Sequence, residues 1–281
     1  MLALVTCDEA IDVDTDLPLL QAAMPEATIV SWHDDTVDWS TYRTVVIRSA
    51  WDYHRHLERF RRWAHRVGAQ TDLWNPPTLI EWNLDKRYLA DVATWGAPIV
   101  PTVYLADPVE VERHAAAGGF VGDLVVKPSV GASASGVLAS HGGEAVAIDH
   151  ARRLVDARFT AMVQPYLHSV ATAGETGLVY LGGAFSHAFG RRVVLREPAA
   201  LDGDGFGHEE SEPRVPTPAE RAVGDLIVAR LPDTAYVRID LLSTGDGPVV
   251  LEVELTEPSL FLHLDPDAPA RAAAAFRSLA V

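Results

Sequence analysis

Two short stretches near the C-terminal end combine residue types that can do chemistry. Arg238 and Asp240 in VRIDLL are two residues apart, as are Glu252 and Glu254 in VVLEVEL. Side chains two apart on a β-strand share a face. If the two strands pair through the turn at residues 243–247, three carboxylates and one guanidinium converge. Carboxylate oxygens around an open position are what Mg2+ uses when it joins a protein to nucleotide phosphates. The same alternation also describes an ordinary solvated sheet face.

A second signal is compositional. Of 23 basic residues, 21 are arginine and only Lys86 and Lys127 are lysine. A compact ammonium on a flexible stem is a common phosphate ligand, so these two positions stand out. Lys127 is followed by the small-residue run PSVGASASG, which is neither a Walker A loop nor a GxGxxG turn. A lysine at a strand end before such a flap can set an ammonium and backbone N–H groups against phosphates. A plain hairpin turn uses the same residues. Gln164 and Glu175 suit adenine and ribose contacts respectively, and each equally suits a polar surface.

The elements that must hold these residues follow from periodicity. Leu2 to Thr6, Ala27 to Trp32 and Thr44 to Ser49 are short apolar runs, and His54 to Val67 puts Leu57, Phe60, Ala64 and Val67 on one helical face. This β/α alternation predicts a buried parallel sheet, ending at Asn75-Pro76-Pro77. Asn83 reads as the N-cap of a helix through LDKRYLADVATW. Strands are expected at Ile99 to Tyr104, Leu124 to Lys127 and Ala161 to Val163, with helices at Pro108 to Ala117 and Glu144 to Ala157. Pro198 to Pro218 lacks apolar periodicity and reads as a mobile loop. A helix over Ala219 to Arg230 and closing strands over Ala235 to Leu242 and Pro248 to Leu255 complete the pattern.

At 281 residues, with 48% hydrophobic and 22% charged residues, the chain has a globular composition. No window approaches a membrane span. The start, MLALVTCDEA, lacks a basic n-region and reads as a first strand, so a cytoplasmic location is expected. A net charge of -16 disfavours a nucleic-acid partner. The single cysteine, Cys7, forms no internal disulfide and reads as core. Assembly into a homo-oligomer is left open.

Taken in order, Asn83-Leu84-Asp85-Lys86 with Tyr88-Leu89, Val125-Val126-Lys127-Pro128 with its flap, Val163-Gln164-Pro165-Tyr166, Arg238-Ile239-Asp240 and Glu252-Val253-Glu254 resemble the successive motifs of the ATP-grasp superfamily. The resemblance covers residues 77–281, and the segment before them is similar to the lobe that precedes the grasp. IRSAWDY (47–53) and LTEPSLFL (255–262) are most like the branch containing the cyclo-ligase of D-cycloserine biosynthesis. The fold class this implies is α/β (α+β grasp). An N-terminal β/α lobe (1–76) precedes a central ATP-grasp lobe with a phosphate-covering flap (77–165) and a C-terminal ATP-grasp lobe with the metal site (166–281).

The resemblance also implies roles. Lys86 and Lys127 hold the α- and β-phosphates of ATP, covered by Ser129, Gly131, Ser133, Ser135 and Gly136. Gln164, Tyr166 and Leu167 hold adenine, and Glu175 holds ribose. Asp240, Glu252 and Glu254 hold Mg2+, with Arg238 beside the transferred phosphoryl group; Lys127 and Arg238 are the catalytic pair. Glu254 stands where many members have asparagine, which bears on the number of metal ions. Arg191 or Arg192 fills the place of another phosphate-binding residue.

The substrate is expected to be a small amino-acid-like molecule. Thr44 to Ser49 reads as a parallel strand running into Arg48, Ser49, Trp51, Asp52 and Tyr53, and ligands of open α/β sheets bind at such ends. Arg191 and Ser259 join this set. Alternatively Trp51 and Tyr53 are core aromatics and Arg48 pairs with Asp52. The expected reaction activates a carboxylate as an acyl phosphate, which a nitrogen then attacks. In the cyclo-ligase form the ureido nitrogen of O-ureido-D-serine closes the ring. An intermolecular amide or peptide ligase, a nucleotide-binding regulator without turnover and a nucleic-acid-modifying protein are the rival expectations.

Overall fold

The β/α alternation of the first 76 residues folds as a parallel sheet of four strands in the order β2-β1-β3-β4. They are β1 (Leu2–Thr6), β2 (Thr28–Ser31), β3 (Thr44–Ser49) and β4 (Asp72–Trp74). Every residue of β1 and β3 is buried, which explains their continuous apolar runs. Between them and against them lie α1 (Asp16–Ala23) and α2 (Leu57–Gly68). Phe60, Trp63, Ala64 and Val67 of α2 pack with Val5, Val45 and Ile47 on one face of the sheet. On the other face Leu4 and Val46 share a cluster with Leu17 and Leu20 of α1, Tyr236, and Phe276 of the C-terminal helix α9 (Ala268–Ser278). The computed structural model describes residues 1–132, 135–192 and 210–279.

The next segment departs from the expected single helix. Asn83 ends α3 (Pro77–Asn83), and α4 (Tyr88–Thr94) begins only after a turn. Asn83 is not an N-cap. Its amide instead bridges the edge of a later strand, donating to Val253 O at 2.6 Å and accepting from Leu255 N at 2.9 Å. That long-range pairing takes the side chain that a local cap would have used.

The central sheet is antiparallel in the order β5-β8-β6-β7. Its strands are β5 (Val103–Leu105), β6 (Asp123–Pro128), β7 (Leu138–His141) and β8 (Ala161–Pro165). Ile99 lies outside it and makes only an isolated bridge with Val250, so the expected strand starts later. Helices α5 (Pro108–Ala116) and α6 (Glu144–Asp156) cover one face through Val111, Ala147, Ala151 and Leu154. Asp107 caps α5 by accepting from Glu110 N at 2.9 Å.

The third sheet is antiparallel in the order β11-β10-β9-β12-β13. It comprises β9 (Glu175–Leu181), β10 (Ala184–Arg191), β11 (Ser211–Pro213), β12 (Tyr236–Thr244) and β13 (Gly247–Glu254). The short helix α7 (Ser169–Ala173) precedes β9, and α8 (Pro218–Val228) precedes β12. Of the expected loop 198–218, residues 198–209 lie outside the described residues. Residues 211–213 are not loop but an edge strand paired with β10. Among the described residues no helix is long and apolar enough to cross a membrane.

Candidate active site

The hairpin β12–β13 sets the register on which the site depends. Arg238 lies opposite Glu254 and Asp240 opposite Glu252, with an irregularity after Asp240. Arg238, Glu252 and Glu254 line a cavity of about 670 Å³ where the central and third sheets meet loop residues of the N-terminal lobe. That volume is typical of a small-molecule site. Lys86, from the turn before α4, and Lys127, near the end of β6, line it as well.

The charged groups are tightly interlocked. Lys127 Nζ donates to Glu252 Oε1 at 2.9 Å, and Lys86 Nζ lies 4.0 Å from the same oxygen. Burial works against the Glu252 carboxylate, but Lys127 and Lys86 outweigh it and hold its pKa at about 2. Glu254 is shifted the opposite way. Burial, with Asp240 and Glu252 adding, pushes it up to about 7 although Arg238 contacts it. Two carboxylates on one strand face therefore have opposite tendencies, and a divalent cation would favour ionisation of both.

Asp240 is placed differently from the expectation for a ligand. It is buried and absent from the cavity wall, held by Arg238 Nε at 3.0 Å and NH2 at 2.9 Å, with Arg191 NH2 at 3.4 Å. Arg238 also donates from NH1 to Ser259 O at 3.0 Å. Its guanidinium thus joins both strands to the segment after β13. Burial opposes its charge, yet Asp240 and Glu254 prevail and raise its pKa.

The nucleotide-type residues gather along the same cavity. Gln164, Tyr166 and Leu167 line it at the end of β8, beside the apolar side chains of Val100, Val125 and Leu242. Such a slot suits a flat heterocycle. Gln164 Nε2 donates to Thr102 Oγ1 at 2.8 Å, and Tyr166 N to Asp123 O at 2.8 Å, which fixes the strand end. Glu175 is buried and accepts from Arg191 Nε at 3.0 Å; burial raises its pKa although Arg191 opposes the shift. Arg191 lines the cavity and Arg192 does not.

The flap is only partly described. Gly131 and Ser135 line the cavity, and Lys86 Nζ donates to Gly131 O at 2.7 Å. Ser129 is buried with its carbonyl accepting from Lys86 N at 2.8 Å, while Gly136 O contacts His150 Nε2 at 2.7 Å. Neither Ser129 nor Gly136 is in the cavity wall. Ser133 lies outside the described residues.

The structure divides the expected substrate segment. Trp51, Tyr53 and Ser259 line the cavity, whereas Arg48, Ser49 and Asp52 do not. Ser49 Oγ pairs with Thr6 Oγ1 at 2.8 Å inside the N-terminal lobe. Asp52 accepts from Trp32 Nε1 at 2.9 Å and contacts His33, so it does not pair with Arg48 either. Arg48 is 1% exposed, lies 4.6 Å over the Tyr236 ring and donates from NH2 to Pro258 O at 2.7 Å. The end of β3 brings the whole segment near the pocket, but neighbouring side chains point to different sides of the chain. Only the alternate residues Trp51 and Tyr53 reach it.

Several cavity residues had no local signal. Asp12, Thr15, Glu257, Phe261 and His263 line its N-terminal-lobe side. The segment carrying the last three is held from the other lobe: Asp16 Oδ2 accepts from Leu260 N at 2.6 Å and Oδ1 from Leu262 N at 2.8 Å. Between them Phe261 adopts a left-handed backbone with φ 51°. Asp16 and Phe261 are 245 positions apart in sequence, and only the signature LTEPSLFL hinted at the segment's importance.

A second group with metal-ligating chemistry lies outside this cavity. His33, Asp52 and His56 have ligand atoms within 4.8 Å of one another, but Arg59 NH1 lies 3.0 Å from His33 Nδ1 and Trp32 already donates to Asp52. Hydrogen bonds within the lobe engage His33 and Asp52, and His56 packs its ring against Trp32 and His33.

With this geometry in place, the chain can be set beside known proteins. Residues 2–75 match the family model described as D-cycloserine synthetase DcsG, N-terminal domain. The cycloserine biosynthesis protein DcsG of Streptomyces lavendulae is 36% identical over 298 residues, covering 98% of this chain and 97% of that protein. The crystal structure of D-cycloserine synthetase DcsG aligns with a TM-score of 0.87 at 33% identity, over 99% of each chain. A RimK domain ATP-grasp protein from Sphaerobacter thermophilus DSM 20745 shares the fold, with a TM-score of 0.67 at 17% identity over 99% of this chain and 98% of that one. The chain belongs to the D-cycloserine synthetase family of ATP-grasp ligases.

Proposed function

We propose that this ligase closes the ring of O-ureido-D-serine to give D-cycloserine, using ATP and Mg2+. One observation carries the reading: both lysines of the chain, Arg238, Glu252 and Glu254 face a single cavity in a chain akin throughout its length to a cycloserine biosynthesis protein. Lys86 and Lys127 bind the phosphates under the flap, and Gln164 to Leu167 bind adenine, with Glu175 near ribose. Glu252 and Glu254 hold Mg2+, with Asp240 braced behind them against Arg238. When bound, Mg2+ supplies positive charge that screens the γ-phosphate. The lobes at 1–76, 77–165 and 166–281 divide these tasks, and the enzyme works in the cytoplasm as part of small-molecule synthesis.

The chain's residues orient the reaction in three ways. Arg238 sits where it can stabilise charge as a substrate carboxylate oxygen attacks the γ-phosphorus and ADP leaves. Trp51, Tyr53 and the 257–263 segment enclose the substrate side and keep water from the acyl phosphate. Holding the ureido nitrogen and the activated carboxyl in one pocket makes ring closure intramolecular, with inorganic phosphate leaving. Hydrolytic loss of the carbamoyl group completes the product.

The test is ADP release with O-ureido-D-serine, with mass analysis of the product. ADP with the mass of D-cycloserine is expected. ADP release that requires a separate amine, giving a linear amide, would instead assign an intermolecular ligase.

A further inference from the structure

The charges of the cavity nearly all have partners. Lys127 pairs with Glu252 at 2.9 Å, Arg191 with Glu175 at 3.0 Å, and Arg238 with Asp240 and Glu254. Among the described residues Asp12 and Glu257 are the exceptions; Asp12 is exposed, whereas Glu257 is partly buried. Glu257 lines the cavity, yet among the described residues no donor lies within hydrogen-bond distance of its carboxylate. Its position is nonetheless fixed: Glu257 O accepts from Trp51 Nε1 at 2.9 Å, and the next carbonyl, of Pro258, accepts from Arg48. Lys86 and Arg238 act on it only from beyond hydrogen-bond distance, and a partly buried acid on a braced backbone with no cation in direct contact is suited to receive one.

We propose that Glu257 selects the substrate by its free α-ammonium group, holding that cation against its carboxylate beside the Trp51 and Tyr53 rings. The inference rests on the reading that an amino acid is activated at its carboxylate. An α-amino acid carries its ammonium two bonds from the carboxylate carbon, so the readers of the two groups must be neighbours. Arg238 and Glu257 line the same cavity, and Arg238 is among the charges acting on Glu257. Burial, and then Glu254, push the Glu257 carboxyl well above the usual range, so an arriving cation favours its ionised form. Aromatic walls next to a carboxylate suit an ammonium, whereas Mg2+ keeps its waters and gathers several oxygens.

Calorimetry separates this from the reaction itself. O-ureido-D-serine and its deamino analogue, which keeps the carboxylate and ureido groups, are titrated into the protein with a non-hydrolysable ATP analogue and Mg2+. Wild type is expected to bind the amino-bearing ligand about 100-fold tighter. Glu257→Gln should bind the two alike, Glu257→Asp should restore part of the preference, and affinity for the ATP analogue and Mg2+ should be unchanged. Equal affinity of wild type for the two ligands, or none for either, overturns the proposal. So does a Glu257→Gln variant that keeps the preference, or one whose main defect is in Mg2+ binding. A wild type that shows the preference but releases no ADP would instead reject the proposed reaction alone.

Discussion

Lys127 on β6 and Glu252 on β13 meet at 2.9 Å, joining the central sheet to the third sheet across the cavity. Neither residue is held there by its own element alone. Lys127→Met should remove one phosphate-binding cation and leave the packed strand intact. Affinity for a non-hydrolysable ATP analogue should fall about 10- to 100-fold, and ADP release should vanish. Calorimetric titration at an unchanged melting temperature is the measurement; wild-type affinity would remove Lys127 from the nucleotide site.

Glu252→Gln preserves side-chain shape but replaces a carboxylate oxygen with a neutral amide oxygen, a weaker ligand for a hard cation. Its activity should be lost across a full Mg2+ titration, as wild-type activity should be lost in chelator. Rates equal to wild type at every Mg2+ concentration would refute a ligand role.

Asp16 and Arg48 brace the segment that carries Glu257, Ser259, Phe261 and His263 from the other lobe. Arg48→Ala leaves Pro258 O without its donor and Asp16 without the guanidinium 4.0 Å away. The expected loss is about 3 kcal/mol of stability, read by denaturant unfolding. Asp16→Asn should cost about 1–3 kcal/mol and raise KM for the amino acid while ATP-analogue affinity holds. An Arg48→Ala protein as stable as wild type, altered only in KM, would return Arg48 to the substrate pocket.

Glu220 supplies a pH-dependent contribution to stability. With Thr217 it forms a capping box at the start of α8, and it also accepts from Thr176 Oγ1 at 2.7 Å. Burial opposes its charge, but the bonds from Thr176 and Thr217 outweigh burial and lower its pKa. A depressed folded-state pKa adds stability above the unfolded value of about 4.3, lost as pH falls through the folded value. Glu220→Gln should therefore be less stable at pH 7 by about 1–2 kcal/mol, with the gap closing under acid. Parallel denaturant curves at pH 7 and pH 3 check this; a gap of constant size would show that the charge contributes nothing.

Much of the fold was legible because local periodicity and burial agree. The run Glu144 to Ala157 has helical spacing and forms α6, and VRIDLL and VVLEVEL alternate as strands and pair as expected. Lys86 and Lys127 could be singled out by residue type alone, since phosphate chemistry restricts which side chains serve. Where local and long-range partners compete, the sequence was ambiguous. Asn83 is a good cap locally, yet its amide is taken by Val253 and Leu255. Arg48 lies at a strand end like a ligand-binding residue, yet Tyr236 and Pro258 claim it. Glu257 lies within the signature LTEPSLFL, but no role could be read for it there, because its lack of a directly bonded partner depends on neighbours brought together from distant parts of the chain. Sequence determined which groups were available and which face of each element they occupy; tertiary structure decided their partners, because pairing energies depend on distances that spacing along one chain does not fix.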